Sequence, residues 1–137
     1  MSLLPITIWT RLRAVSEVAL TQNIDVIERG YEYLLAYAAQ GRQDDAGTEA
    51  RVTLQAMHAA MTQLGEQAKL TFAKGAMPGL GDYLDAVEAD ARVARGAIAL
   101  VLGRPQIASL LVDNLNASVH LRALLTDVFL LEQALKP

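Results

Sequence analysis

The sequence predicts an all-α protein, an antiparallel four-helix bundle made of two helical hairpins. Apolar residues recur at steps of three and four along most of the chain, which is the spacing of one helix face. No window alternates convincingly with period two, so no sheet is expected. Glycine and proline cluster between residues 74 and 82 and divide the chain into two halves of two helices each.

The first helix is predicted over about residues 5–40. Pro5 suits the first helical turn because the N–H that it lacks would have no partner there. The apolar stripe shifts register after Ala19, so this helix either bends or breaks near residues 21–23. Gly41 follows in the usual position of a glycine that ends a helix.

The second helix is predicted over about residues 48–73 and the third over about residues 82–102. Thr48 or Asp44 can cap the second helix, and Asp82 can cap the third, because their side-chain oxygens accept from free N–H groups of a first turn. Gly65 lies inside the second helix, at a cost of about 1 kcal/mol relative to alanine. Gly103 stops the third helix.

The fourth helix, predicted over about residues 105–135, has two apolar faces. A helix with more than one apolar stripe must bury more than one side. It is therefore either the central helix of the bundle or the helix that meets a partner. The second face consists of Leu111, Leu115, Leu125 and Phe129. Tyr33 and Tyr37 of the first helix, four residues apart and opposite much of its main stripe, form a second candidate patch.

Composition removes several classes of protein. The 137 residues are 53% hydrophobic and 20% charged, contain no cysteine and carry a net charge of −3. This length suits one domain spanning residues 1–137. Disulfide scaffolds and cysteine-ligated zinc sites are excluded, and nucleic acid is not an expected partner. We expect no signal peptide and no membrane span, because the longest strongly apolar stretch, residues 97–102, is far shorter than roughly 20 residues. The expected location is therefore cytoplasmic.

No motif of catalysis or metal binding is present. Neither His58 nor His120 belongs to a Glu-x-x-His or His-Glu-x-x-His motif, so no metal site is expected. There is no Gly-x-Ser-x-Gly elbow, and the pattern leans against an enzyme without deciding the question. The loop from Gly75 to Gly81 lacks the Gly-Lys-Ser/Thr of a phosphate loop, so it is either a hairpin connection or a hinge.

Two functions remain compatible with these patterns. The first is a non-enzymatic protein–protein interaction module, an adaptor, chaperone-like or small regulatory protein that forms a homodimer or binds a partner protein. Its anchors would be Leu111, Leu115, Leu125, Phe129, Tyr33 and Tyr37. The alternative is a small-molecule or metal- or haem-binding bundle, with Met57, His58, Met61 and His120 as candidate ligands. No cofactor is assigned.

Overall fold

The computed structural model describes residues 6–72 and 77–135, with side chains from residue 17 onward. These residues form five helices and contain no strand, which confirms the all-α class. Pro5 and Gly75, to which the sequence assigned roles, lie outside the described residues. The helices are α1 (Ile6–Ala38), α2 (Ala50–Phe72), α3 (Leu80–Leu102), α4 (Ser109–Ala117) and α5 (His120–Ala134).

The first helix runs without interruption through residues 21–23, so the predicted alternative of a break there is wrong. Asn23 of α1 donates to Gln67 near the end of α2, at 2.6 Å. Gly30, further along α1, lies against Met57, nearer the start of α2. The two helices therefore run in opposite directions, and the missing side chain at Gly30 leaves room for the thioether of Met57.

The third helix begins earlier than predicted. Its N-cap is Gly79, in the left-handed region at φ 85°, and Asp82 lies in the first turn instead of capping the helix. The helix ends at Leu102, directly before Gly103, as predicted. Gly65 of α2 faces Glu88 of α3, and a Cβ at position 65 would lie 3.2 Å from the Cα of Glu88. The glycine within α2 thus permits a close approach of the two helices.

The predicted fourth helix is two helices, which corrects the predicted count from four to five among the described residues. Ser118 closes α4: its N–H donates to the carbonyl of Asn114 at 3.0 Å, and its hydroxyl donates to the carbonyl of Leu115 at 2.6 Å. Val119 then adopts a left-handed conformation, with φ 63° and ψ −1°. A serine and a valine interrupt the helix here, and neither is a residue by which a helix end is recognised in sequence.

One hydrophobic core joins all five helices. Helix α1 packs against α2, α4 and α5, and α3 packs against the same three helices. The largest fully buried side chains are Tyr37, Ile27, Leu34, Leu54, Met57, Met61, Leu64, Ile98, Ile107, Leu121, Leu124 and Val87. Within the described ranges, no helix is long and apolar enough to cross a bilayer.

Candidate functional site

The predicted partner-binding residues of the C-terminal half divide between the core and the surface. Leu115 and Leu125 are buried, each with 5% of its surface exposed. Leu111 is half-buried against the core, and Phe129 is 40% exposed. The break after α4 explains this division, because the two faces predicted for one helix belong to two helices. The apolar surface of Leu115 and Leu125 is used inside the chain, which leaves Phe129 as the exposed anchor of this set.

The predicted tyrosine patch is also divided. Tyr37 is fully buried, contrary to the prediction that it lies away from the main apolar stripe of α1. Its hydroxyl donates to the carbonyl of Ile107 at 2.6 Å. Tyr33 is half-buried, and its ring stacks on that of Tyr37 with centroids 6.1 Å apart. Tyr37 is therefore a residue of the core, whose polar end is satisfied within the chain.

The four candidate cofactor ligands do not converge. Met57 and Met61 are buried in the core, and Met57 packs on Gly30. His58 is on α2 and His120 is at the exposed start of α5, and these two helices do not contact each other. Among the residues that the structure describes, no three histidine or acidic side chains are grouped as a metal ion would require. The arrangement gives these four residues no common site.

An apolar pocket of about 240 Å³ opens where the start of α3 meets the end of α5. Its rim includes Met77 and Leu130, which are 48% and 56% exposed. Phe129 is the neighbour of Leu130 on the exposed side of α5. The lining contains no charged side chain: it consists of Met77, Pro78, Gly79, Leu80, Tyr83, Leu130, Leu131, Ala134 and Leu135. We call this feature the α3–α5 pocket.

A polar cluster adjoins this pocket through Tyr83. The Tyr83 hydroxyl lies 3.3 Å from the carbonyl oxygen of Asp127 and 3.4 Å from its Oδ1, so it donates to α5 from α3. Burial is the first cause that raises the pKa of Asp127, to about 7. A hydrogen bond and charge repulsion from Asp90 raise it further, while the Tyr83 hydroxyl lowers it. Burial and the nearby Asp127 charge also raise the pKa of Tyr83.

Sequence reasoning missed this cluster. Tyr83 and Asp90 are seven residues apart, which places them on the same face of α3. Asp127 follows the buried Leu124 by three residues and precedes the buried Leu131 by four, so it borders the apolar stripe of α5. An acidic residue at the border of an apolar stripe is the one feature of the sequence that could have indicated this cluster. Only the fold shows that α3 packs against this position and brings Tyr83 and Asp90 to Asp127.

A second polar network joins the loop before α2 to the segment before α4. Asp45 Oδ1 accepts from the N–H of Ile107 at 2.9 Å, and Asp45 Oδ2 pairs with Arg51 Nε at 3.2 Å. Arg51 also donates to the carbonyls of Leu102 and Arg104, at 3.0 and 2.9 Å. The N–H of Ile107 is the main cause that lowers the pKa of Asp45. Apart from the pair between the Asp45 and Arg51 side chains, these bonds satisfy main-chain groups, so the network stabilises the fold.

A groove of about 640 Å³ runs between α2 and α3 beside Gly65. Lys69 bridges Asp85 at 3.3 Å and Glu88 at 2.9 Å across it, and these two carboxylates raise the pKa of Lys69. Arg92 and Arg95 also line the groove. The two pairs that Lys69 makes are exposed, and exposed pairs of this kind contribute little to stability.

The fold and the pocket define an all-α protein whose uncharged cavity adjoins a pair of acidic side chains. Comparison with protein-family models, curated proteins and solved structures finds no match to this chain.

Proposed function

We propose that this chain is a non-enzymatic protein–protein interaction module, which docks through the α3–α5 pocket and the exposed face of α5. The observation that carries the proposal is the lining of that pocket, which is predominantly apolar and free of charged side chains. Such a surface favours an apolar anchor from another helix, inserted from the exposed rim. Adaptor, chaperone-like and small regulatory proteins all use docking of this type.

The scaffold of the proposed module is an antiparallel bundle of two hairpins, in which α4 and α5 together take the place of a fourth helix. Helix α2 contacts α1 and α3 but neither α4 nor α5, and both α4 and α5 contact α1 and α3. This pattern supports a ring in which α4 and α5 together occupy the fourth position. Opposite directions for α3 and α5 are supported by the pocket, where Leu80 at the start of α3 lies with Leu131 and Ala134 near the end of α5.

We assign a second copy of this chain as the occupant of the pocket. A two-fold dimer brings one surface patch against itself, so anchor and receptor must both belong to that patch. Leu130 is 56% exposed on the rim, and Phe129 beside it is 40% exposed, whereas Leu131 of the same helix is buried and lines the pocket. One short segment of α5 therefore supplies both anchors and part of the receptor. Binding of a protein with a different sequence, in place of a second copy, is an alternative outcome of the test.

The test measures the oligomeric state of variants whose substitutions lie on this face. Leu130→Asp and Phe129→Asp place a charge at the rim, and burial of such an apolar side chain is worth about 1.5–3 kcal/mol. We expect the wild type to be dimeric by size exclusion with light scattering. Each variant should weaken the dimer by at least about tenfold. Circular dichroism should show unchanged helix content, because both side chains are exposed in the single chain.

The matched control is Leu100→Asp on α3, whose side chain is 79% exposed and does not line the pocket. It should remain as dimeric as the wild type. A wild type that stays monomeric at all concentrations overturns the second copy as occupant. Equal loss of the dimer in the Leu100→Asp variant overturns the pocket as the interface. Leu115→Asp is a poor probe, because Leu115 is buried and its substitution should unfold the protein.

A cytoplasmic location belongs to the same proposal. It rests on the sequence-based expectation alone, and fractionation of the source cells tests it directly.

A further inference from the structure

One of the two oxygens of the Asp127 carboxyl group is buried without a hydrogen-bond partner among the described residues. Its Oδ1 faces the Tyr83 hydroxyl, while Oδ2 is buried and has no donor among the described residues. An orphaned buried oxygen of this kind destabilises the folded state, and does so more strongly when it is charged. The side chain that faces Asp127 from α3 is another carboxyl group, Asp90, within hydrogen-bonding reach.

Two carboxylates cannot bond each other, because each only accepts hydrogen bonds. A single proton between them removes this difficulty. A protonated Asp127 Oδ2 becomes a donor, Asp90 accepts from it, and the orphaned oxygen is satisfied. Like charges this close cannot both be ionised without a large cost, which is the reason that paired carboxyl groups share a proton in other proteins.

No cationic side chain among the described residues around Asp127 could take the place of that proton. From α3, the titratable groups that act on Asp127 are Asp90 and Tyr83. Helices α1 and α4 also pack against α5, and none of their described side chains contributes a charge to this carboxyl group. On α5 itself, the side chains one turn before and after are Ala123 and Leu131, which are uncharged. The pair therefore depends on protonation in the described surroundings.

A second feature concerns the connection between α5 and α4. Val119 joins them with φ 63°, and it is the only described residue other than glycine with a positive φ. A left-handed conformation is strained for a residue with a Cβ, and branching at Cβ makes valine especially unfavourable there. This strained residue lies in the connection between the two helices, where α5 would move relative to α4.

We propose that one proton shared by Asp90 and Asp127 holds α5 against α3, and that its loss to solvent loosens α5 about the Ser118–Val119 junction. The inference concerns the conformation of the single chain and does not depend on the proposed dimer. Release would expose buried apolar side chains of α5, among them Leu124, Val128 and Leu131. The protein would then respond to alkaline pH through one helix while the rest of the fold persists.

The direction of the pH effect follows from the raised pKa of Asp127. In the folded chain this pKa is about 7, against 3.8 for an ordinary aspartate. Between these two values the folded state binds more protons than the unfolded state, so stability falls as pH rises. The stabilisation is complete below about pH 4 and is lost as pH rises through about 7. Loosening of α5 should therefore be visible between pH 5.5 and pH 8.5.

The experiment compares amide hydrogen exchange of the full chain at pH 5.5 and pH 8.5, corrected for intrinsic rates. In the wild type, protection of α5 amides should fall about tenfold relative to α2 amides. Asp90→Asn keeps the geometry and gives Asp127 an amide donor in place of a carboxyl group, so its α5 protection should depend on pH much less than that of the wild type. Asp113→Asn on α4 changes an exposed aspartate and should retain the wild-type response. Light scattering at both pH values separates release of α5 from a change of oligomeric state.

A direct titration keeps the proposal falsifiable if Asp90→Asn fails to fold. Carbon-13 NMR of the aspartate carboxyl groups in the wild type should show Asp127 titrating near neutrality. Titration of Asp127 near the ordinary value of 3.8 overturns the shared proton. Uniform protection of α5 and α2 across the pH range overturns the loosening, and so does a wild-type pH response in the Asp90→Asn variant.

Discussion

The Tyr37 hydroxyl donates to the main-chain carbonyl of Ile107 at 2.6 Å, across 70 positions of sequence. The same hydroxyl lies 3.1 Å from the carbonyl of Asp44, in the loop that follows α1. Ser109 adds two further bonds nearby: its hydroxyl donates to the carbonyl of Tyr37 at 2.8 Å, and its N–H donates to the carbonyl of Arg42 at 2.9 Å. The end of α1 is thus bonded directly to the start of α4.

Replacement of Tyr37 by phenylalanine should therefore lower the free energy of unfolding by about 1–3 kcal/mol, because the buried Ile107 carbonyl loses its donor. Urea unfolding followed by circular dichroism measures the change. Tyr33→Phe is the matched control, since it keeps the stacked ring pair and should change stability by less than about 0.5 kcal/mol. Equal effects in the two variants would show that the Tyr37 hydroxyl contributes nothing specific.

Gly30 should not tolerate a side chain. A Cβ at this position would overlap the Sδ and Cγ atoms of Met57, which is fully buried. Gly30→Ala should therefore destabilise the protein by about 1–3 kcal/mol, as overpacking of a core does.

Gly96→Ala on α3 is the control, because Gly96 is exposed and a Cβ there would meet no atom within 4 Å. Alanine should stabilise the helix at this position by about 0.8–1 kcal/mol. The same thermal or urea unfolding experiment measures both variants. A neutral or stabilising Gly30→Ala would mean that Met57 moves aside without cost, and the close approach of α1 and α2 would then not depend on glycine.

The sequence determines the helical class and most helix ends because those signals are local. The spacing of apolar residues identifies α1, α2 and α3, and Gly103 marks the end of α3. Thr48, one of the two residues predicted to cap α2, accepts with its hydroxyl oxygen from the N–H of Ala50, the first residue of that helix, at 3.3 Å. Such features depend on residues within one or two turns of each other, which a single sequence contains in full.

The features that sequence reasoning missed depend on contacts between distant segments. Nothing in the local pattern of Tyr37 indicates that a carbonyl 70 positions away will accept its proton, so the sequence alone predicts that Tyr37 lies on the surface. The pairing of Asp90 with Asp127 is of the same kind. The break at Ser118 was missed for a different reason, since it uses residues that also occur inside helices. The pocket between α3 and α5 follows from that break and from the packing of the two helices.

Relief of the strain at Val119 should stabilise the protein. Val119→Gly removes the conflict between Cβ and a left-handed backbone, whereas Val119→Ala keeps a Cβ at the same φ of 63°. Both variants lose the same partly exposed methyl groups, so their difference isolates the backbone effect. We expect the glycine variant to be more stable than the alanine variant by about 1 kcal/mol in urea unfolding. A glycine variant that is equal to the alanine variant or less stable contradicts a strained junction between α4 and α5.

Because of Asp45, the protein should lose stability as the pH falls, whereas Asp127 makes it lose stability as the pH rises. The N–H of Ile107, followed by the pairing with Arg51, lowers the pKa of Asp45 below 3.8 in the folded chain. The unfolded state then binds more protons near and below that value, so the stabilisation is complete above about pH 5 and is lost as pH falls through the folded pKa.

Asp45→Asn keeps an oxygen acceptor for Ile107 but loses the charge, and at pH 7 it should cost about 1–2 kcal/mol. Urea unfolding from pH 7 down to pH 3 should show this gap closing in acid, while Asp25→Asn, at an exposed ion pair with Arg29, leaves the profile nearly unchanged. A gap that stays constant across the range would mean that the charge of Asp45 does not hold the two loops together.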